Sequence, residues 1–241
     1  MKREPENIKK YEMILKNYPF LNNMDKESFD ELLSLFHVER WPRNTLILNF
    51  EKCFNNFYII LSGRIKMCQM DPITGKEITL SLLSKSDSFD LYCLMDGSEH
   101  EVFYECIDNV KILATPMGEL REWLNKNPKH YKNLLPYVGK QMRMLENYIS
   151  DITFTDIPTR LIKLLIRNVK EDSNNLELIN DLPNKEIAKL IGSTRAVVNR
   201  HLQKLKKSGA IEISRNRIEV KNLSLLLQLL KTQTSRISDQ K

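Results

Sequence analysis

The side chains best suited to chemistry in this sequence lie between Thr194 and Lys207. Helical spacing gives one set of polar residues a common face: Arg195, Asn199, Arg200, Gln203 and Lys206. The opposite face is an apolar stripe of Val197, Val198, Leu202 and Leu205. An Arg side chain can bond guanine O6 and N7 together, and Asn or Gln can bond adenine in the same way. We therefore interpret the polar face as a surface that recognises bases in the major groove of DNA.

A preceding helix must hold this face in place. Asn184 is suited to cap the start of that helix, and apolar residues recur at helical spacing until the break at 192–193. Thr194 is suited to cap the second helix, and Gly209 ends it. Two alternating runs, 210–213 and 217–220, then predict a small β-hairpin, or wing.

The charge distribution separates the C-terminal quarter of the chain from the rest. Residues 183–241 contain 13 Lys and Arg against 4 Asp and Glu, whereas the remainder contains 24 against 27. This is the pattern of a domain that binds phosphates joined to a domain with another task. Two alternatives stay open. One is a helical hairpin with a solvated basic face; the other is a non-specific DNA-compacting protein, which would carry basic residues over most faces.

Composition restricts the class of protein. The chain is 41% hydrophobic and 28% charged, as in globular proteins. No apolar stretch reaches the roughly 20 residues that span a bilayer, and the N-terminal sequence lacks a secretion signal, so we expect a cytoplasmic protein with no membrane partner. The cysteines show no C-x-x-C spacing, so the sequence predicts no metal site: Cys53, Cys68, Cys93 and Cys106. Because nucleotide-loop motifs are also absent, we expect no catalytic residues and no enzyme; a cyclic-nucleotide-regulated signalling module is the alternative.

Short strand patterns dominate the N-terminal half. Two helical segments, 8–17 and 25–36, come first, and Asp25 and Ser28 are suited to cap the second. Turn residues such as Gly63 then separate apolar or alternating runs at 45–49, 57–61, 64–69, 77–83, 102–107 and 110–115. Many short strands at near-regular spacing predict a β-barrel or sandwich.

Helical patterns return at 117–125 and 129–153. In the longer segment, apolar residues are separated by 4, 3, 4 and 3 positions: Val138, Met142, Leu145, Ile149 and Ile152. This spacing is typical of a coiled coil, so we expect a homodimer interface; the alternative is packing against the same chain. Helices at 159–169 and 223–230, an apolar run at 176–179 and a loose tail at 232–241 complete the prediction.

Three stretches carry a resemblance to a known family: FYIILSGRIKM…GKEITLSLLSKSDSF at 57–89, FTDIPTRLIKLL at 154–165, and EIAKLIGSTRAVVNRHLQKLKKSGAI at 186–211. They are similar to the central β-roll, the hinge and the recognition motif of the CRP/FNR family of bacterial transcription regulators. The resemblance implies an α+β protein with a cyclic-nucleotide-binding-like β-roll (double-stranded jelly-roll) sensor domain at 1–128, a dimerisation helix at 129–153 and a winged helix-turn-helix domain at 154–241. It also implies a homodimer that binds double-stranded DNA at a palindromic promoter site and contacts RNA polymerase.

The resemblance further implies a set of DNA contacts: Lys185, Ser193, Thr194, Arg195, Ala196, Asn199, Arg200, Gln203, Lys204 and Arg215. Arg195 and Arg200 match positions at which family members contact phosphate and base. The base contacted from the position of Arg200 is typically a guanine. Ala196 stands where cyclic-AMP receptor proteins and FNR carry a glutamate. Since a methyl group cannot accept from cytosine N4, a contact worth roughly 1–3 kcal/mol is lost. The arrangement GSTR-x-x-V-x-R is closer to cyanobacterial nitrogen-control regulators, which predicts a GTA-like half-site.

The sensor segment departs from the cyclic-AMP pattern. Cyclic-AMP binders carry a Phe-Gly-Glu-Leu segment followed by an Arg-Ser pair that neutralises the cyclic phosphate, whereas this chain has FDLYCLMDGSEHEVFYE at 89–105 and no arginine at 65–120. We therefore expect no cofactor, and an effector other than cyclic AMP or none. The residues expected at the effector pocket are Phe89, Tyr92, Cys93, His100, Val102 and Leu145. Haem ligation by His100 and oxidation of Cys93 stay open, although a lone His or Cys is more often structural.

Overall fold

The computed structural model describes residues 2–4, 8–16, 18, 20–22, 24–47, 55–170, 173–214 and 217–238. Cys53 and Arg215, both named in the sequence predictions, lie outside these residues. The chain forms two compact units, Met1–Met144 and Leu145–Lys241. The division falls inside the long helix, whereas the predicted domain boundaries fall at its two ends.

The first unit is a β-roll with helices at each end of its sequence. Its elements in chain order are β1 (Lys2–Glu4), a 3-10 turn (Ile8–Tyr11), α1 (Glu12–Lys16), α2 (Lys26–Ser34), β2 (His37–Trp41), β3 (Leu46–Ile47), β4 (Asn56–Ser62), β5 (Ile65–Met70), β6 (Glu77–Leu83), β7 (Ser88–Phe89), α3 (Leu91–Asp96), β8 (Phe103–Cys106), β9 (Val110–Pro116), α4 (Met117–Lys126), a second 3-10 turn (Pro128–His130) and α5 (Tyr131–Phe154), which continues into the second unit. Among the described residues the strands form two antiparallel sheets, ordered β1-β2-β9-β4-β7 and β3-β8-β5-β6. The α+β roll expected from the sequence is confirmed.

Two apolar clusters hold this unit together. One packs the N-terminal helices, α4 and the start of α5 against the first sheet, with Leu15, Leu32, Leu120 and Leu134 fully buried. The other joins the two sheets through aromatic rings, where Phe89 lies 4.7 Å from Tyr58 and 4.5 Å from Tyr104 between ring centroids. The side chains of the sheets therefore fill this part of the roll.

The predicted strands are confirmed to within two residues where the structure describes them; residues 48 and 49 of the first run lie outside. Strands β1, β2 and β7 and helix α3 were not predicted. Helix α3 lacks an ordinary start signal: Asp90, the residue before it, has a left-handed backbone (φ 61°) and its side chain does not cap the helix. Asp25 does cap α2, as predicted, because its carboxylate accepts from the Ser28 amide at 2.9 Å.

The second unit is a winged helix-turn-helix domain. After the end of α5 come α6 (Ile157–Arg167), β10 (Val169–Lys170), β11 (Ser173–Leu176), α7 (Asn184–Leu190), α8 (Arg195–Lys207), β12 (Ile211–Ser214), β13 (Arg217–Val220) and α9 (Leu223–Ser238). Its strands form a sheet in the order β10-β11-β13-β12, and β12 and β13 are the predicted wing.

Three local predictions in this unit are wrong. The helix predicted at 159–169 ends at Arg167, because Val169 pairs with Leu176 as part of β10. Asn184 is the first residue of α7 rather than its cap, a position that Pro183 occupies. The segment 232–238, predicted as loose tail, continues α9, because neither Gly nor Pro follows Leu230 and Gln233 accepts a hydrogen bond from Thr159 Oγ1 at 3.1 Å. Within the described residues, no helix is both long enough and apolar enough to cross a membrane.

Candidate DNA-binding site

Helix α8 separates an apolar face from a polar one. Val198, Leu202 and Leu205 are buried, and Val197 is half-buried. Thr194 caps the helix as predicted, since its side-chain oxygen accepts from the Val197 amide at 3.4 Å. The polar face is exposed: Arg195, Ala196, Asn199, Arg200, Gln203 and Lys204. The structure therefore brings these predicted contact residues together on one solvent-facing surface.

The turn before α8 requires a glycine. Gly192 has a left-handed backbone (φ 62°), and a Cβ there would lie 3.1 Å from Ile152 Cδ1 and 3.5 Å from Arg160 Nη1. The Ser193 amide then donates to the carbonyl of Ala188 at 2.8 Å, which ties the turn to α7. The Ser193 hydroxyl oxygen is buried, so it does not lie on the exposed face with the other predicted contacts.

Asn184 has a role that the sequence did not reveal. Its side-chain amide donates to Asn199 Oδ1 at 3.3 Å, which links the start of α7 to the exposed face of α8. This hydrogen bond occupies the side-chain oxygen of Asn199. The side-chain NH₂ group of Asn199 therefore remains available to donate to another partner. Lys185, next in the chain, is exposed on α7.

The charges on α8 differ from those around them. Within the described residues, Arg195, Arg200 and Lys204 form no side-chain hydrogen bond or ion pair, whereas Lys221 pairs with Glu212 and Glu219 at 3.0 and 3.1 Å. Unpaired cations on one exposed face create a positive potential that favours phosphate.

The end of α5 is fixed to this unit by an ion-pair cluster. The buried carboxylate of Asp151 lies 2.5 Å from Lys163 Nζ and 2.8 Å from Arg167 Nη1, both on α6. Asp156 caps α6 by accepting from the Thr159 amide at 3.0 Å. These contacts join the last turns of α5 to the domain that carries α8.

The predicted interface residues of α5 do not share one environment. Met142, Leu145 and Ile149 are 54%, 46% and 55% exposed, and Ile152 is also exposed. Val138 is half-buried and packs against the core of the first unit, so its own chain covers part of it. The apolar stripe that the chain leaves open therefore begins at Met142.

The predicted effector-pocket residues divide into two groups. Phe89, Cys93 and Val102 are buried, whereas Tyr92 is 44% exposed and its ring contacts His100 edge-on at 5.2 Å. The remaining member, Leu145, belongs to the second unit.

Asp90 follows Phe89 in the chain and lies near His100. Its carboxylate accepts from the Tyr104 hydroxyl at 2.8 Å and lies 3.9 Å from His100 Nδ1. The Arg121 guanidinium does not bind this carboxylate but donates to the backbone carbonyls of Cys93 and Leu94 on α3.

The described cysteines lie in surroundings that disfavour thiolate. Burial raises the pKa of Cys93 to about 11, and the nearby carboxylate of Asp90 contributes; burial also raises the pKa of Cys68 and Cys106 to about 12. Because the thiolate is the reactive form, these thiols are poor nucleophiles and poor metal ligands. No cluster of three or more His, Cys, Asp or Glu suited to a metal occurs in the described part of the chain.

The winged helix-turn-helix domain contains a segment that matches a known family. The family model for the Crp-like helix-turn-helix domain matches residues 159–229. The CRP-like cAMP-activated global transcriptional regulator of Mycobacterium tuberculosis is 27% identical over 177 residues, which are 72% of this chain and 79% of the relative. The global nitrogen regulator of a Nostoc species is 27% identical over 191 residues, covering 76% of this chain and 84% of the relative.

Two solved structures share the fold across most of the chain. A CooA variant from Carboxydothermus hydrogenoformans has a TM-score of 0.71 at 21% identity and covers 95% of this chain and 98% of that chain. A transcriptional regulator of the crp/fnr family from Eubacterium rectale has a TM-score of 0.69 at 19% identity, with coverages of 89% and 98%. The Crp-like helix-turn-helix domain at residues 159–229 and the similarity to transcriptional regulators over about three quarters of the chain support a CRP/FNR-family transcription regulator, and the solved structures share its fold.

Proposed function

We propose that this protein is a homodimer that binds a palindromic promoter site, with one α8 helix entering each of two successive major grooves. The observation that carries the proposal is the exposed face of α8, on which Arg195, Asn199 and Arg200 lie opposite a buried apolar stripe. Among the described residues, the two arginine side chains have no hydrogen-bond or ion-pair partner. In helix-turn-helix proteins this arrangement places side chains on base edges. A non-specific DNA-compacting protein would have no need of such a fixed arrangement of donors.

The open apolar stripe of α5 supports the dimer. Met142, Leu145, Ile149 and Ile152 repeat at coiled-coil spacing, and their exposure is unusual for apolar side chains at such a spacing. A second copy of the same helix would cover them. Two-fold symmetry of the protein would then require two-fold symmetry of the DNA site.

The base preference is set by the first turns of α8. Arg200 is suited to guanine, and the exposed methyl group of Ala196 cannot accept a hydrogen bond from cytosine. We propose a half-site of the GTA type, as the resemblance of GSTR-x-x-V-x-R to cyanobacterial nitrogen-control regulators implies.

We propose that the protein responds to an effector other than cyclic AMP, or to none. A relative is described as cAMP-activated, but this chain has no arginine at 65–120 to neutralise a cyclic phosphate, and the carboxylate of Asp90 is buried beside Phe89. An effector would act by favouring one arrangement of the dimer over another. We further propose that the protein is not an enzyme, that it works in the cytoplasm, where the DNA is, and that it contacts RNA polymerase.

A charge placed on α5 tests the dimer. Ile149→Glu adds a carboxylate to the open stripe, and Asn147→Glu adds the same charge at an exposed position of the same helix outside it. In sedimentation, the wild type and Asn147→Glu should be dimers and Ile149→Glu a monomer, with DNA affinity reduced only in the monomer. A monomeric wild type, or a dimer that survives Ile149→Glu, would contradict the proposal.

A further inference from the structure

The second unit contains a cavity of about 140 Å³ behind the recognition helix. Its apolar walls come from Leu161 and Ile162 on α6, Leu205 on α8 and Leu229 on α9. An engineered apolar cavity of about 150 Å³ is known to bind benzene. The space is therefore large enough for an apolar body of about six carbons.

The rim of this cavity is polar and positively charged. His201 and Lys204 on α8 and Ser208, the residue that caps its end, are at helical spacing and line the cavity together with Gln233. The Lys204 ammonium forms no ion pair with any described residue. Burial of the imidazole, followed by the charges of Lys204 and Arg200, lowers the pKa of His201. An anion at this rim would meet a positive potential and several donors.

Part of the cavity wall lies beyond the family match. The Crp-like helix-turn-helix match ends at residue 229, whereas Gln233 lies on the next turn of α9. Its Oε1 is already occupied by Thr159 Oγ1 at 3.1 Å, so its NH₂ group is the side-chain donor left for a ligand.

We propose that this cavity binds a small monocarboxylate with an apolar body, such as benzoate, with the ring against Leu161 and Leu229 and the carboxylate at Lys204. The chemistry is that of a fatty or aromatic acid: the apolar walls remove the body from water, and the ammonium forms a charge-assisted hydrogen bond with the carboxylate.

Binding at this site has a consequence for DNA affinity, which rests on the proposed function. Lys204 is also expected to contact a DNA phosphate. Because one ammonium cannot fully serve a carboxylate and a phosphate at the same time, the acid should weaken DNA binding, and DNA should weaken binding of the acid by the same factor.

Calorimetry on the full chain without DNA tests the site directly. Benzoate should bind with a dissociation constant on the order of 1 mM, as expected for a ligand of this size. Benzyl alcohol, which has the same ring but no charge, should bind about tenfold more weakly. Lys204→Gln should lose about tenfold in benzoate affinity, whereas Lys207→Gln, on the same helix outside the cavity, should bind as the wild type does.

A space-filling change tests the apolar part. Leu229→Trp should abolish benzoate binding without changing the affinity for DNA, because Leu229 lies at the cavity and outside the predicted contact face. The proposal is overturned by the absence of saturable binding at tenfold the expected concentration, or by equal affinity in the wild type and Lys204→Gln. Should Leu229→Trp fail to fold, the pair of lysine variants decides the question. If benzoate binds as expected and DNA affinity does not respond, the site stands and the coupling to DNA is refuted.

Discussion

The exposed face of α8 and the interior of the β-roll use polar residues in opposite ways. On α8, the side chains of Arg195 and Arg200 are exposed and form no hydrogen bond or ion pair with described residues. In the roll, the buried ammonium of Lys66 lies 2.7 Å from the carboxylate of Glu105. The buried carboxylate of Asp90 accepts a hydrogen bond from the Tyr104 hydroxyl. Polar groups that pair with one another hold the protein together, whereas unpaired exposed groups are available to a ligand. Changes in the roll should therefore alter stability, and changes on α8 should alter DNA binding.

The largest effect is expected at a turn of the roll. Gly63 has φ 87°, and a Cβ there would lie 2.7 Å from the backbone oxygen of Asn109. Left-handed strain and this clash together should reduce the free energy of unfolding by about 3 kcal/mol in Gly63→Ala. Gly75 has φ 66°, but apart from its chain neighbours no atom of the described residues lies within 4 Å of its Cβ position, so Gly75→Ala should lose only about 1 kcal/mol. Denaturant unfolding measures both losses. Equal losses of unfolding free energy in Gly63→Ala and Gly75→Ala would show that the contact with the Asn109 oxygen is relieved without a cost in stability.

Arg200→Ala should have the next largest effect, and on a different quantity. Removing a base contact should cost roughly 1–3 kcal/mol of DNA binding and relax the preference at one base pair of each half-site. The free energy of unfolding should not change, because the side chain is exposed and has no hydrogen-bond or ion-pair partner among the described residues. Binding measured against duplexes with each of the four bases at that position would show the loss of preference; a uniform loss on all four would assign Arg200 to a phosphate instead.

Lys204→Ala should give a smaller and uniform loss. A phosphate contact carries no sequence information, so affinity should fall equally on all duplexes and the salt slope should become shallower by about 1. Anisotropy titrations at several salt concentrations measure this slope, with Lys207→Ala as the neighbouring control. A change of base preference in Lys204→Ala would reverse the roles given to Lys204 and Arg200.

The smallest expected effect is a pH dependence of stability that comes from two histidines, one in each unit. Burial lowers the pKa of His130 and His201 below the ordinary 6.5, and neighbouring cations add to it: Lys129 for His130, and Lys204 and Arg200 for His201. As the pH falls through 6.5 the unfolded chain binds these protons first, so both groups contribute stability above that pH and lose it below. Titration of the ring resonances by NMR should give both pKa values below 6.5.

DNA should distinguish these histidines. Phosphates near α8 favour the charged imidazolium, so the pKa of His201 should rise on binding while that of His130 stays constant. Equal responses of the two rings would place the DNA elsewhere.

The sequence predicted most of what depends on local pattern. Strand β6 was predicted with its observed ends, and α8 with its cap and both faces, because alternation, helical spacing and turn residues act within a few positions. It missed α3, which follows a left-handed Asp90, and β1, whose signal is a pairing with β2 more than 30 residues away.

The contacts that the sequence did not reveal join residues of different elements. Asn184 was expected to cap α7, yet its side chain bonds Asn199 on α8. Val138 has the spacing of an interface residue, and it is half-buried because it also packs against the core of the first unit. Neither outcome can be obtained from the spacing within one helix, because each depends on where a second element packs.

The central claim is that two copies of the α8 face bind one symmetric site. Selection of bound sequences from random duplexes with the full chain tests it most directly. We expect enrichment of a two-fold symmetric site whose half-sites lie one helical turn apart, about 34 Å, each with a guanine for Arg200. Recovery of duplexes with no common sequence, or with a single unrepeated half-site, would contradict it.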